Sequence, residues 1–216
     1  MKTAEAYAPD RATDCIRRIY DRGAWWYDIR EWLPERLAFR RWRRELWSLV
    51  PLGSVLEVGV GTGKNFPYYR EGHQVTAIDF SPKMLRKAEI VAERERRPVA
   101  LKLMDAQALE FDDESFDSVV STFVFCSVPD PVLGLQELRR VLKPGGRAYW
   151  LEHVLSHKRP LRWLMRRANG IFRAMNGANI DRDTVANVEL AGFDLVDVRD
   201  LWGDIVKLVV AEKPVS

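Results

Sequence analysis

Apolar residues follow two different patterns along the chain, and the change between them comes at Pro51. Residues 11–50 are rich in Arg and Trp and predict a helical region, which we expect to be broken near Gly23 and Pro34. After Pro51, short apolar runs bounded by turn residues predict buried strands. These strands are predicted at residues 54–60, 74–78, 99–104, 116–121 and 147–153, with a terminal pair at 193–201 and 205–212.

Helices are predicted between these strands. Ser81-Pro82 and Asp130-Pro131 each have the sequence of a helix start, with an N-capping side chain followed by Pro at the first helical position. A further helix, rich in Arg, is predicted after Pro160. Strands that alternate with helices form a parallel, doubly wound sheet, and such sheets bind ligands at the carboxyl ends of their strands.

A glycine-rich loop directly follows the first predicted strand. Gly59, Gly61 and Gly63 allow a sharp turn and let a ligand approach the main-chain amides closely. Asp79 comes 20 residues after Gly59, at the end of the second strand. A carboxylate at that place can accept hydrogen bonds from ribose hydroxyls. The loop and the acid together predict a nucleoside-containing cofactor.

The spacing of the loop discriminates between cofactors. The dinucleotide fingerprint G-x-G-x-x-G would need a third glycine where this chain has Lys64, and no triphosphate-binding loop is present. S-adenosylmethionine (SAM) has no phosphates, and its sulfonium and amino-acid tail tolerate a nearby carboxylate such as Glu57. These features favour SAM, and an NAD-dependent oxidoreductase is the weaker interpretation.

Five segments resemble, in order and spacing, the motifs of class I SAM-dependent methyltransferases. They are Val55–Gly63 (VLEVGVGTG), Val75–Ser81 (VTAIDFS), Asp105-Ala106, Phe116–Ser121 (FDSVVS) and Leu138–Gly146 (LRRVLKPGG). The resemblance implies an α/β fold with a Rossmann-like, doubly wound, seven-stranded sheet in the order 3-2-1-4-5-7-6, the last strand being antiparallel. It also implies SAM as cofactor and S-adenosylhomocysteine as product.

The same resemblance assigns cofactor contacts. Asp105 would accept a hydrogen bond from the adenine amine, Thr122 and Phe123 would lie beneath the methionine part, and Met84 would either flank the adenine or belong to the core. The full expected set is Glu57, Gly59, Gly61, Gly63, Asp79, Phe80, Met84, Asp105, Ala106, Thr122 and Phe123.

The aromatic N-terminal block resembles lids of small methyltransferases. Residues 20–47 are similar to segments of quinone-biosynthesis C-methyltransferases and bacterial phospholipid N-methyltransferases. Residues 126–128, 151–154 and 177–179 resemble the methyltransferase-like 7 family of membrane-associated thiol methyltransferases. We therefore expect a helical lid at residues 1–50 over a SAM-binding domain at residues 51–216, and a lipophilic or amphiphilic acceptor.

A basic stretch interrupts the second half of the chain. No Asp or Glu occurs from His153 to Ile180, while apolar residues after Pro160 recur at helical spacing. A basic amphipathic helix is typical of membrane surfaces, although a core-facing helix with a solvated Arg face explains the pattern equally well. We expect a helical insertion at about residues 156–180, and the arginines that could meet an anionic membrane surface are Arg162, Arg166, Arg167 and Arg173.

Composition narrows the protein class. The 216 residues suffice for one well-packed domain, and 47% hydrophobic with 30% charged residues is typical of a soluble globular protein. No apolar run is long enough for a transmembrane helix and no secretory signal is seen, so we expect a cytoplasmic protein. The alternative is a peripheral protein on the inner face of a membrane. Cys15, Cys126 and the His residues have no metal-ligand spacing, and no metal is expected.

Fewer sequence features bear on the methyl acceptor than on the cofactor. The N/D-P-P-aromatic motif of nucleic-acid N-methyltransferases is absent after the fourth strand, which argues against a nucleic-acid substrate. The leading hypothesis is methylation of a phospholipid amine; alternatives are C-methylation of a prenylated quinone precursor, S-methylation of a lipophilic thiol, or a non-catalytic SAM-binding module. His153 is the candidate general base, and Tyr20 and Tyr27 are candidates to orient the acceptor.

Overall fold

The computed structural model describes residues 11–215, except for the side chains of residues 24, 26–31, 33 and 34. Its centre is one seven-stranded sheet in the order β3-β2-β1-β4-β5-β7-β6, which confirms the predicted fold and strand order. Strands β1 to β5 pair in parallel, and β7 lies antiparallel between β5 and β6. The strands are β1 (Gly53–Val58), β2 (His73–Asp79), β3 (Val99–Leu103), β4 (Phe116–Thr122), β5 (Leu142–His153), β6 (Asp194–Trp202) and β7 (Val206–Glu212).

Six α-helices accompany the sheet in the described part of the chain. The N-caps predicted from the sequence are present: the Ser81 side chain accepts from the Met84 N–H, and Asp130 accepts from the Val132 and Leu133 N–H groups. The helices are α1 (Arg11–Pro34), α2 (Arg40–Leu49), α3 (Pro82–Glu95), α4 (Pro131–Val141), α5 (Arg159–Asn176) and α6 (Thr184–Leu190), with a π-helix at Glu35–Phe39 and a 3-10 turn at Phe66–Tyr68.

The core consists of two apolar layers, one on each face of the sheet. Successive side chains of a strand point to opposite faces, so Val55 packs in one layer and Leu56 in the other. Trp47 of α2 is buried in the first layer, and Trp150 of β5 in the second. The inner strands β1, β2, β4 and β7 are therefore mostly buried, whereas the edge strands β3 and β6 are largely exposed. The carboxyl ends of β1 to β5 lie at one edge of the sheet.

Helix α1 differs from expectation at Gly23. Helix α1 continues through Gly23 without a break, and the irregularity comes instead at the π-helix after Pro34. Helix α5 likewise continues through Asn169-Gly170. The Asn169 side chain accepts from the Ile180 N–H at 2.8 Å and therefore does not compete for the helix's own backbone.

No helix in the described residues is long and apolar enough to cross a membrane.

Candidate functional site

The glycine loop after β1 has the backbone that its sequence predicts. Gly59, Gly61 and Gly63 all have positive φ angles, of 70°, 57° and 82°, which side chains rarely adopt. A Cβ at Gly59 would collide with the Val124 side chain, whereas a Cβ at Gly61 would meet no atom within 4 Å. Gly59 therefore permits close packing of two loops, and Gly61 faces an open space that a ligand can enter.

Asp79 connects the loop to the end of β2. Its Oδ2 accepts from the Gly61 N–H at 2.8 Å, and its Oδ1 accepts from the Ser81 N–H at 2.9 Å. Burial raises the pKa of Asp79 to about 6, although these backbone hydrogen bonds oppose the shift. An ionised carboxylate can accept about four hydrogen bonds, so both oxygens keep capacity for ribose hydroxyls.

A cavity opens beside Asp79. Five of the expected cofactor residues line it, namely Gly59, Asp79, Phe80, Asp105 and Ala106. The sequence analysis did not identify the rest of the lining, which is Thr13, Val58, Ile78, Met104, Val124, Ser127, Val128 and Pro129. The walls are mainly apolar with a few polar groups, which suits a flat heteroaromatic base attached to a sugar.

Two expected contacts at the adenine end have other partners. The Asp105 carboxylate accepts from the Gln107 N–H at 2.9 Å, and the Gln107 side chain also donates to Thr13 of α1. Met84 is only 2% exposed and is not among the residues that line the cavity. Its placement agrees with the core alternative for this residue.

Of the remaining expected residues, Glu57 and Thr122 belong to a second cluster, outside the cavity lining. Glu57 is buried and accepts hydrogen bonds from the Asn65 side chain, at 2.7 Å, and from the Tyr69 hydroxyl. Burial raises the pKa of Glu57 to about 7, while the two hydrogen bonds and Arg43 lower it. Asn65 and Arg43 both donate to Thr122 Oγ1, which joins this network to the end of β4.

Phe123 makes a strained turn directly after β4. Its φ angle is +59°, uncommon for an aromatic residue and typical of functional sites. The buried Glu152 carboxylate holds the loop that follows, since its Oε1 accepts from the Val124 and Phe125 N–H groups at 2.9 and 3.1 Å. Burial raises the pKa of Glu152 to about 7.

His153 packs behind this turn rather than at the cavity. Its ring centroid lies 4.8 Å from that of Phe123 and 6.4 Å from that of Phe39. Burial lowers the pKa of His153, and a hydrogen bond with the Ile205 main chain opposes the shift. The imidazole is therefore neutral at pH 7, with one nitrogen occupied and the other able to accept a proton.

Helix α1 lies over the cavity and contacts three of its loops. The Tyr20 hydroxyl is 2.6 Å from Ser127 Oγ, and Ser81 Oγ donates to the Asp21 carboxylate at 2.6 Å. The third contact is a hydrogen bond from the Gln107 side chain to the Thr13 hydroxyl. The structure thus places Tyr20 against Ser127, which lines the cavity, whereas the side chain of Tyr27 lies outside the described residues.

Asp79 gives the first testable prediction. Asp79→Ala is expected to weaken SAM binding by about 1.5–3 kcal/mol, because charge-assisted hydrogen bonds to the ribose are lost. Calorimetry with SAM measures the effect, and NAD is expected not to bind either protein. Asp112→Ala, at an exposed position away from the cavity, is the control for loss of one carboxylate. Unchanged SAM affinity in Asp79→Ala, or binding of NAD, would refute this assignment.

Comparison with known proteins identifies the family. A family model described as a methyltransferase domain matches residues 56–150. The chain is 46% identical over 111 residues to phosphatidylethanolamine N-methyltransferase of Cereibacter sphaeroides, and 37% identical over 142 residues to demethylmenaquinone methyltransferase of Renibacterium salmoninarum. These matches cover 50% and 64% of this chain, and 55% and 58% of the relatives, so the chain spans little more than half the length of either.

A third relative matches over more of its length. Human thiol S-methyltransferase TMT1A is 31% identical over 203 residues, which cover 83% of this chain and 82% of the relative. Among solved structures, a SAM-dependent methyltransferase from Methanosarcina mazei has a TM-score of 0.62 and 25% identity, with 78% of this chain and 95% of that chain covered. The cyclase SpnF has a TM-score of 0.67 and 21% identity over 82% of each chain, a likeness that shows the fold alone.

Proposed function

The chain belongs to the SAM-dependent methyltransferases. We propose that its acceptor is a lipophilic or amphiphilic small molecule, with a phospholipid amine as the leading candidate. The observation that carries the proposal is helix α5, which has no buried residue although much of its surface is apolar. A helix with this composition that does not enter the core is suited to contact lipid.

The apolar residues of α5 are exposed to an unusual degree. Trp163, Ile171 and Met175 are 62%, 69% and 72% exposed, and Leu164 and Phe172 are exposed as well. Arginines lie beside them, and the Arg167 guanidinium stacks over the Trp163 ring at 5.3 Å. Of the two explanations that the sequence left open, the core-facing helix does not fit these exposures, and they support the membrane-surface explanation.

The position of α5 also relates it to the cofactor cavity. Asn179, just after the helix, donates from its side chain and main chain to the Cys126 carbonyl at 3.0 and 2.7 Å. The next residue, Ser127, lines the cavity. A bilayer that met α5 would therefore lie close to the site, and an acceptor dissolved in it could reach the methyl group without crossing water.

Bound SAM would supply a methyl group on a cationic sulfur, to which the acceptor atom would bond by in-line attack on the methyl carbon, with the neutral thioether as the leaving group. Most of the rate enhancement comes from positioning the two partners. We assign Asp79, Gly61 and the Asp105 loop to holding the donor, and the neutral His153 to taking the proton that an amine or thiol acceptor loses.

Two further acceptors have support from relatives. The thiol S-methyltransferase covers most of this chain, including the region of α5, which favours a lipophilic thiol as second candidate. The demethylmenaquinone methyltransferase favours C-methylation of a prenylated quinone precursor as third. All three acceptors are lipophilic, so the same exposed helix serves each.

Turnover with labelled SAM distinguishes the three. The purified protein is offered phosphatidylethanolamine vesicles, a prenylated quinone precursor and a long-chain alkyl thiol, with Asp79→Ala as the control for contaminating activity. We expect label in the phospholipid amine. Label mainly in the quinone or the thiol would replace the leading candidate with that acceptor, and no transfer to any of the three would favour a non-catalytic SAM-binding module.

A further inference from the structure

A surface groove on α5, called the arginine groove below, is lined by four arginines and a tryptophan. These residues recur three and four positions apart, which places them on one face of the helix. At a rise of 1.5 Å per residue, they cover about 12 Å of the helix axis. The lining residues are Arg159, Arg162, Trp163, Arg166 and Arg167.

The positive charge of the arginine groove has no counterpart in the protein around it. No Asp or Glu occurs from His153 to Ile180, and none of the four guanidiniums forms an ion pair with a residue that the structure describes. The Arg162 Nε is shielded from solvent and has no hydrogen-bond partner among the described residues. Like charges at neighbouring helix positions repel one another, so an anionic ligand would stabilise this arrangement.

The guanidinium groups of the groove suit a phosphate ester. Arg can donate two parallel hydrogen bonds to a pair of phosphate oxygens, whereas the ammonium of Lys acts as a point charge. A phosphomonoester carries a charge of about −1.5 to −2 at pH 7 and has three acceptor oxygens. It can therefore contact several arginines at once, while a phosphodiester has a smaller charge and fewer free oxygens.

The tryptophan of the groove indicates that the phosphate belongs to a lipid. The Trp163 side chain is 62% exposed, carries the Arg167 guanidinium over its ring, and is followed by the exposed Leu164. Trp and Arg are both suited to the headgroup level of a bilayer, because each combines an apolar part with a polar end. A soluble phosphate ester would leave these apolar side chains in water.

We propose that the arginine groove binds the headgroup of a membrane lipid that ends in a phosphomonoester, with Arg159, Arg162 and Arg166 donating paired hydrogen bonds to its oxygens. The bound lipid holds α5 on the bilayer in which the acceptor is dissolved. This inference rests on the membrane contact of the proposed function, but it does not depend on which acceptor is methylated. It adds a discrete site with a preferred headgroup, which charge attraction alone does not provide.

The test compares two kinds of vesicle that have the same surface charge. One contains phosphatidic acid, whose headgroup is a phosphomonoester, and the other contains phosphatidylglycerol, whose headgroup is a phosphodiester. Both lipids are diluted in phosphatidylcholine. Co-sedimentation of the unmodified protein should show tighter binding to the phosphatidic acid vesicles by about 10- to 100-fold, the range for hydrogen bonds to charged groups.

Replacing Arg159, Arg162 and Arg166 with Lys keeps the charge of the groove and removes the paired hydrogen bonds. This variant should lose the preference for phosphatidic acid and bind both kinds of vesicle as the unmodified protein binds phosphatidylglycerol vesicles. Because Lys forms helices as well as Arg does, the helix is expected to remain folded. The matched control makes the same change at three exposed positions on or beside α3, and it should keep the full preference. Its positions are Arg86, Arg94 and Arg96.

The outcomes separate this site from the proposed membrane contact. Equal binding of the unmodified protein to the two kinds of vesicle, or a groove variant that keeps the preference, would overturn the site and leave the membrane contact standing. Binding to neither kind of vesicle would overturn both. Glycerol 3-phosphate is the same headgroup without acyl chains, and calorimetry should show it to bind far more weakly than phosphatidic acid vesicles. Equally tight binding would assign the groove to a soluble ester and overturn the lipid.

Discussion

His153→Ala is expected to lower kcat by about 10²- to 10⁴-fold, the usual contribution of a general base, and to leave SAM affinity nearly intact. Burial lowers the pKa of His153, and a hydrogen bond with the Ile205 main chain opposes the shift, so a neutral imidazole is available to accept a proton. The structure also sets a condition: Phe39 and Phe123 pack on the ring, so they must move for an acceptor to reach it. Single-turnover rates and SAM calorimetry measure the two parts separately.

The pH profile provides a second readout for the same residue. The pKa of His153 is lowered from its usual value of 6.5, so the imidazole is neutral at pH 7 and becomes protonated only as the pH falls below that value. The rate should therefore decline with falling pH below about 6.5, and this limb should be absent in His153→Ala. His157→Ala, at an exposed position four residues later, is the control. A folded His153→Ala protein that binds SAM and turns over normally would leave His153 a structural role only.

Replacing Arg162, Arg166, Arg167 and Arg173 with Gln is expected to abolish binding to vesicles that contain anionic lipid. Each basic residue near such a surface contributes about 1 kcal/mol, so four together change the affinity by about 10³-fold. Co-sedimentation of the unmodified protein should also decrease as salt rises, because the attraction is screened. Methylation of a lipid acceptor in vesicles should fall with binding, while a water-soluble acceptor analogue is methylated as before.

A matched control removes four charges from another helix. Lys83, Arg86, Arg94 and Arg96 are exposed on or beside α3, and their replacement by Gln changes the net charge equally. This variant should still bind vesicles. If the α5 variant, the α3 variant and the unmodified protein co-sediment to the same extent, or if none does, the arginines of α5 form only a solvated helix face. Acceptors that are dissolved in water would then become the better candidates.

Local chemistry made much of the strand and loop arrangement predictable. Neighbouring residues in the sequence specify two kinds of feature: strands that end at a glycine or an acid, and the N-caps Ser81 and Asp130. Both kinds of feature appear where they were expected. Positive φ at Gly61 is a requirement of the turn itself. The sequence therefore placed Asp79 and the glycine loop at one edge of the sheet before any long-range contact was known.

Features that depend on distant contacts were not predictable in the same way. Gly23 was expected to break α1, but the helix is held by contacts with loops far along the chain, including Ser81 and Ser127, which outweigh the low helix propensity of one glycine. Arg43 is one of many arginines in its segment, and only the fold brings it to Thr122. The one available signal was its place beside Trp42 in a block that resembles methyltransferase lids.

The three contacts between α1 and the cavity loops affect the rate at which the product cofactor can be exchanged for SAM. Thr13, Tyr20 and Asp21 contact loops after three different strands, so spent cofactor can leave by this side only when the links open together. We expect this opening, rather than methyl transfer, to limit the steady-state cycle, and amide hydrogen exchange in α1 to slow when S-adenosylhomocysteine is bound. A Ser127→Ala protein would then release S-adenosylhomocysteine faster. Its pre-steady-state burst would have a smaller amplitude than that of the unmodified enzyme.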